Sequence, residues 1–117
     1  MGFKFEKLKV WRTALELAFE VSNVIQEFPS HEKFVLGTQM QKAADSVVLN
    51  IAEGSTGQSS AEFKRFLNYS IRSALEVVTC LYLGEMRKII KKEDFTNLYN
   101  KYNDLIKSIQ ALRNSLT

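Results

Sequence analysis

The chain has 117 residues, 45% of them hydrophobic and 25% charged, which is enough for one domain (1–117) with a core but not for two. It is neither rich enough in Pro and Gly nor acidic enough to stay disordered. The 16 Lys and Arg against 13 Asp and Glu, a formal charge of +3, permit an anionic partner without requiring one.

The amino terminus, Met1-Gly2-Phe3-Lys4-Phe5-Glu6-Lys7, has no apolar stretch of the secretory kind, and Glu6 breaks the myristoylation pattern. No apolar run reaches membrane-spanning length. Cys80 is the single cysteine, so an intramolecular disulfide is excluded. These features lead us to expect a cytoplasmic protein without a membrane partner.

Three breaks punctuate the chain: Phe28-Pro29-Ser30-His31, then Glu53-Gly54-Ser55-Thr56-Gly57-Gln58-Ser59-Ser60, then Ile90-Lys91-Lys92. The four segments between them lack the strict alternation of a half-buried strand. They predict helices over about 5–28, 32–53, 59–90 and 92–115. The first carries two adjacent apolar rows, Leu8, Trp11, Leu15, Ala18 and Ile25 beside Val10, Ala14, Leu17, Val21, Val24 and Phe28. Together they cover about half the circumference or more. An arc so wide needs neighbouring helices on two sides or a second subunit.

The second helix presents Leu36, Met40, Ala43, Val47 and Ile51 on one face, with Gly54 expected as the residue just past its end. The third opens on Ser59-Ser60-Ala61-Glu62, a capping box, and buries a stripe from Phe63 to Leu81, continuing past Gly84 to Ile90. In the fourth, Phe95, Leu98, Tyr102, Leu105, Ile109, Leu112 and Leu116 alternate spacings of three and four, the pattern of an a/d seam. Short connections between four such helices predict an all-α, up-down-up-down four-helix bundle.

The chemistry-bearing residues are few. His31, the one histidine, sits in a turn and reads as a solvated residue, which removes the Glu-x-x-His pairs of a di-iron bundle. Cys80 lies among Val78, Leu81 and Tyr82 with no histidine to activate it, and reads as a buried thiol. Gly54-Ser55-Thr56-Gly57 lacks the Gly-Lys-Ser/Thr ending of a nucleotide loop and reads as an interhelix turn. No catalytic residue, cofactor or metal site is therefore expected, and the chain does not read as an enzyme.

Two basic groups remain. Lys64, Arg65 and Arg72 share a face with Asn68 and Thr79, while Arg87, Lys88, Lys91 and Lys92 cluster near the end of the third helix, where cations oppose the negative end of the dipole. Each group also has a plain reading as solvated surface. Asn50 and Glu53 stand in the last turn of the second helix, where a carboxylate is disfavoured. Glu53 is thus expected to find a partner, either the amides opening the third helix or Lys64 or Arg65.

Several motifs carry a resemblance over nearly the whole chain: Phe5-x-x-Leu8-x-Val10-Trp11 with Ala14; Phe28-Pro29 with Glu32, Phe34 and Leu36; Gln39 with Ala43-Ala44 and Ser46; Asn50-Ile51-Ala52-Glu53-Gly54; and Glu62-Phe63-x-x-Phe66-Leu67 with Ser73, Glu76 and Thr79. With these residues the chain resembles the four-helix bundle family of 23S rRNA intervening-sequence proteins, also labelled S23 ribosomal proteins. The resemblance implies a homopentameric ring without enzymatic activity. Some relatives are encoded within intervening sequences of bacterial 23S rRNA genes, and a related accessory protein of diversity-generating retroelements binds nucleic acid and a reverse transcriptase. RNA or DNA, and a protein such as a reverse transcriptase, are the partners so implied.

Departures from the family pattern fall on charged positions. Gln41-Lys42 stands where basic residues usually precede the Ala-Ala pair, Val48 where proline is usual, and Gln58 where the loop usually carries Arg or Lys. Arg72 replaces a Gly and Val78 a Glu. Two phosphate contacts are lost and one cation gained, so the resemblance implies a shifted or weakened nucleic-acid face.

The expectation is a non-catalytic, homo-oligomeric nucleic-acid-binding protein in which Lys42, Lys64, Arg65, Arg72, Arg87 and Lys88 meet phosphates by charge. Asn50, Glu53 and Gly54 serve structure or an interface. Five copies would carry roughly +15, enough to attract a polyanion. The alternative is a scaffold that recruits another protein through its apolar first helix, with the charge incidental.

Overall fold

Apolar residues at spacings of three and four close four helices around one core in the computed structural model, which describes residues 2–117. Met1, part of the amino-terminal stretch considered above, lies outside the described residues. Helix α1 spans Lys9–Gln26. Helix α2 starts as Ser30–Glu32, widens into a π turn over Lys33–Gly37 and continues as Thr38–Ser55. Helix α3 spans Ser60–Met86 and α4 Lys92–Ser115. Each packs on its sequence neighbours and α4 closes on α1, giving a body of 44 × 23 × 20 Å without strands among the described residues.

Side-chain bonds fix the antiparallel register. Ser22 Oγ donates to Gln41 Oε1 at 2.7 Å between α1 and α2, Ser73 Oγ to Ser46 Oγ at 3.0 Å between α2 and α3, and Arg113 Nη1 to Asn68 Oδ1 at 2.8 Å between α3 and α4. Small residues line the α2–α3 seam, where the fully buried Ser70 donates to the carbonyl of Val47 at 3.0 Å. A hydroxyl buried without such a bond would be destabilising.

Helix ends differ from the periodicity reading in five places. The segment expected to begin a helix at 5 instead forms a 3-10 turn over Lys4–Lys7, closed by Leu8 N–H to the Phe5 carbonyl at 2.9 Å. Extended Leu8 separates it from α1, and the Phe5 ring tilts onto Trp11 with centroids 4.8 Å apart. The α1 helix itself stops at Gln26 rather than 28, and Phe28 folds into the core. Helix α2 starts at Ser30 and not 32, because the Pro29 carbonyl already accepts from Glu32 and Lys33.

At the other end of α2, Gly54 is not the residue past the helix. It lies inside α2, which runs to Ser55, and it has no positive φ. A Cβ there would come within 2.5 Å of Phe66 Cβ and 3.1 Å of Phe63 Cδ1, so the glycine serves close helix approach. Helix α3 ends at Met86, four residues short of the expected 90. Lys88 takes a left-handed φ of 61°, and the amides of Ile89 and Ile90 both turn back to the Gly84 carbonyl. Ile90 then fills the space a Gly84 side chain would need, and its burial offsets the roughly 1–2 kcal/mol of a left-handed lysine.

Candidate nucleic-acid interface

Charge on α3 is organised by what Gly54 leaves open. With no side chain in the way, Phe66 seats against α2, and its ring supports the Arg65 guanidinium 5.4 Å from the centroid. Tyr69 packs edge-on to the same ring at 5.5 Å. A cation held over an aromatic face at the surface gains about 0.5–1 kcal/mol and keeps its donors free for a phosphate. Arg72, two turns from Arg65, is exposed on the same side, and half-buried Lys64 flanks it. None of the three is in an ion pair among the described residues.

The other expected contacts do not join this row. The Ser46–Ser73 register puts exposed Lys42 about one turn past Ser73, level with exposed Glu76 rather than with Arg65. Arg87 and Lys88 lie about 35 Å from Lys64 along α3, at 1.5 Å per residue. Arg87 is tied to Glu32 on α2, with Nη1 3.4 Å from Oε1. Beside it Lys91 meets Glu27 at 3.1 Å, and that bond raises the Lys91 pKa.

Of the motif at the end of α2, Asn50 is part of the α2–α3 seam. Its Nδ2 donates to the Ser46 carbonyl at 2.9 Å and to Ser46 Oγ at 3.0 Å, the hydroxyl that Ser73 also meets. Glu53 departs from expectation: it is exposed, and its carboxylate has no hydrogen-bond or ion-pair partner among the described residues. Its backbone carbonyl instead accepts from the Thr56 amide and hydroxyl, closing the helix end without the carboxylate. The capping box of α3 is half made. Ser59 Oγ accepts from the Glu62 amide at 3.1 Å, while the Glu62 carboxylate lies against Gly57.

Cys80 is buried, and burial together with the nearby Glu76 charge pushes its thiol pKa up, away from nucleophilic chemistry. His31 is exposed in the first turn of α2, not in the turn before it. No three His, Cys, Asp or Glu side chains are grouped closely enough to hold a metal ion among the described residues. No helix among them is long and apolar enough to cross a membrane.

Residues at the amino-terminal turn form a second cationic group that helix-face periodicity passes over. Lys4, Lys7, Lys9 and Arg12 are all exposed, and the first turn of α1 contains no acid. The signal present in the sequence was this inverted charge order, since a helix start normally favours Asp or Glu.

A family model described as 23S rRNA-intervening sequence protein matches residues 6–111. The chain is also similar to a crystal structure of a protein with unknown function from the S23 ribosomal protein family of Bacteroides thetaiotaomicron. The two superpose with a TM-score of 0.83 at 26% identity, covering 89% of this chain and 97% of that one. No curated protein matches the chain.

Proposed function

Because the chain belongs to the 23S rRNA-intervening sequence protein family, we propose that it is a non-catalytic, homo-oligomeric protein that binds RNA or DNA through its phosphates. The observation that carries this reading is the row of cations on α3, Lys64, Arg65 and Arg72, unpaired among the described residues, with Arg65 braced on Phe66. The mechanism is charge neutralisation. Each phosphate met by Lys or Arg releases condensed counterions, so affinity grows with the number of cations engaged. Lys42 stands to one side of the row, and Arg87 and Lys88 at the far end add to the overall field.

Assembly multiplies that charge, and the distribution of apolar surface supports it. Leu15 and Phe19 on α1, Leu49 on α2, and Leu75 and Leu83 on α3 are exposed, whereas α4 exposes no large apolar side chain. Apolar surface of this kind is what further copies cover, and copies related by one rotation close into a ring, five in the proposed form. Sedimentation equilibrium tests it: a species near five chain masses supports the ring, and a monomer removes it.

Binding is tested by fluorescence anisotropy against structured RNA, duplex DNA and a single strand across salt concentrations. The expected result is a log affinity that falls linearly with log salt, with a shallower slope when Lys64→Glu and Arg65→Glu are combined. No binding to any of the three at low salt overturns the reading. Unchanged binding by the double variant overturns the assignment to α3.

A second reading, a scaffold that recruits another protein such as a reverse transcriptase, draws on the opposite end of the bundle. There Phe34, Val35 and Met86 stand exposed around the π turn and the end of α3. Capture of one protein partner after nuclease treatment, lost on Phe34→Ser, supports it.

A further inference from the structure

The amino-terminal turn places a flat apolar ring among cations. Phe3 is 66% exposed, and its ring stacks on Phe5 with centroids 5.6 Å apart and 12° between the planes. Phe5 in turn rests on Trp11 at 4.8 Å, so the two phenyl rings are anchored on α1 and the outer face of Phe3 is open. Lys4 and Lys7 follow Phe3 in the turn, and Lys9 and Arg12 follow on α1. None of the four is in an ion pair among the described residues. The one acid of the segment, Glu6, is occupied: its Oε1 accepts the Phe3 N–H at 3.0 Å.

Stability alone does not account for this arrangement. Cations at the start of α1 add to the positive end of the helix dipole, and an exposed phenyl ring gains little from one stacked neighbour. Both features fit an occupant with a flat π face and a negative backbone. A base–aromatic stack is tolerant of sequence, and the neighbouring lysines meet the phosphates on either side of the stacked base. A duplex does not satisfy the site, because its base faces are already stacked on each other.

The position of Lys4 ties this turn to the cations of α3. The turn crosses the end of α2, and Lys4 lines a depression of about 340 Å³ together with Ser60 and Phe63 at the start of α3. Lys64 and Arg65 follow directly in the sequence. A strand held at Phe3 therefore has cations both along α1 and at the opening of α3.

We propose that Phe3, Lys4 and Lys7 form a site for single-stranded nucleic acid, in which one base stacks on the open face of Phe3 and the adjoining phosphates are held by Lys4 and Lys7. This inference rests on the reading of the protein as a nucleic-acid binder and adds the strand state and the place. Lys9 and Arg12 extend the same electrostatic track. The site lies at an end of the bundle, away from the exposed apolar residues in the middle of α1 and α2.

The test uses the full chain with a fluorescent unstructured oligouridylate, a duplex RNA of equal length and anionic vesicles of phosphatidylserine and phosphatidylcholine. Phe3→Ala is expected to weaken oligouridylate binding roughly 5- to 150-fold while leaving the salt slope and duplex binding unchanged, and Phe3→Trp to retain the affinity. Combining Lys4→Gln with Lys7→Gln is expected to lower the single-strand salt slope by about 1.4, at about 0.7 per phosphate. Circular dichroism and thermal unfolding of each variant separate these effects from misfolding. If the wild-type chain binds neither nucleic acid at low salt, the nucleic-acid reading fails and the site with it. If it binds but the Phe3 and lysine variants bind the single strand as the wild type does, the site alone is overturned. Vesicle binding that Phe3→Ala abolishes, with oligouridylate affinity intact, overturns it in favour of a lipid surface.

Discussion

Where α2 meets α3 the side chains are small, Ala43, Ser46 and Gly54 on one helix and Ser70 and Ser73 on the other, and the hydrogen bonds are buried or partly buried. Where α1 meets α4 the contacts are made by long polar chains at the rim: Glu20 receives Lys101 and Asn97, and Lys91 beyond the helix reaches Glu27. A groove of about 390 Å³ remains open between α1 and α4, lined by Thr13, Glu16 and Asp104 among others. The close seam holds its helices by shape and the open seam by tethers, so substitutions of similar chemistry should differ widely in cost between the two.

The largest expected effect breaks the close seam at its tightest point. Gly54→Ala puts a Cβ against Phe66 Cβ, and the strain should exceed the helix-propensity gain and leave the protein about 2 kcal/mol less stable in urea unfolding. Displacement of Phe66 also removes the perch of Arg65, so this substitution should weaken polyanion binding although residue 54 is buried. A stable Gly54→Ala protein would mean that Phe66 swings aside freely, and the contrast between the seams would be smaller than the geometry implies.

Asn50→Ala comes next. It deletes two bonds from one half-buried amide to Ser46 and should cost about 1 kcal/mol, with no change in the salt slope of nucleic-acid binding. A changed slope would move Asn50 from the seam to the binding surface.

Tyr102, fully buried on α4, has a hydroxyl with no hydrogen-bond partner among the described residues. Tyr102→Phe should therefore be neutral or stabilise by up to about 1 kcal/mol near neutral pH. Burial first, then Glu20 and Asp45, raise the Tyr102 pKa in the folded chain above its ordinary value. The unfolded chain then loses this proton first, so the stabilisation is complete below about pH 10 and is lost as pH rises through the folded value. Unfolding followed between pH 8 and 11 should show a steeper alkaline decline for the wild type than for Tyr102→Phe.

Legibility of these features in the sequence follows the range of the forces involved. The seam from Leu98 to Ile109 shows in the sequence because burial on one helix face is a local periodicity. Gly54 is ambiguous in the sequence because a glycine after an apolar run has the same local signature whether it ends a helix or admits a neighbour. Only Phe66, on another helix, distinguishes the two. Ile90 is ambiguous likewise, since its burial against Gly84 depends on a turn that the apolar pattern does not encode. Among the cations, Lys64, Arg65 and Arg72 share a face by spacing alone, but the capture of Arg87 by Glu32, 55 residues away, is a matter of tertiary register. The amino-terminal turn leaves no trace in the apolar pattern because it is a 3-10 turn that buries none of its residues.

The smallest effect sharpens the comparison from the open side. Glu20→Gln removes the charge that receives Lys101 at 3.0 Å, but these side chains retain 33% and 48% of their exposure. Solvent screening at that exposure holds the pair to about 0.5 kcal/mol, and the glutamine still accepts from Asn97 and Lys101. The expected shift in the urea midpoint is thus near the limit of detection and should vanish in 1 M salt, where the Debye length falls to about 3 Å. Asn50→Ala, which removes no charge, should keep its full cost in the same salt. A cost for Glu20→Gln that matches Asn50→Ala and survives high salt would mean that the α1–α4 contacts are desolvated in solution, and the open groove would then have to be closed by another part of the protein or by a second copy.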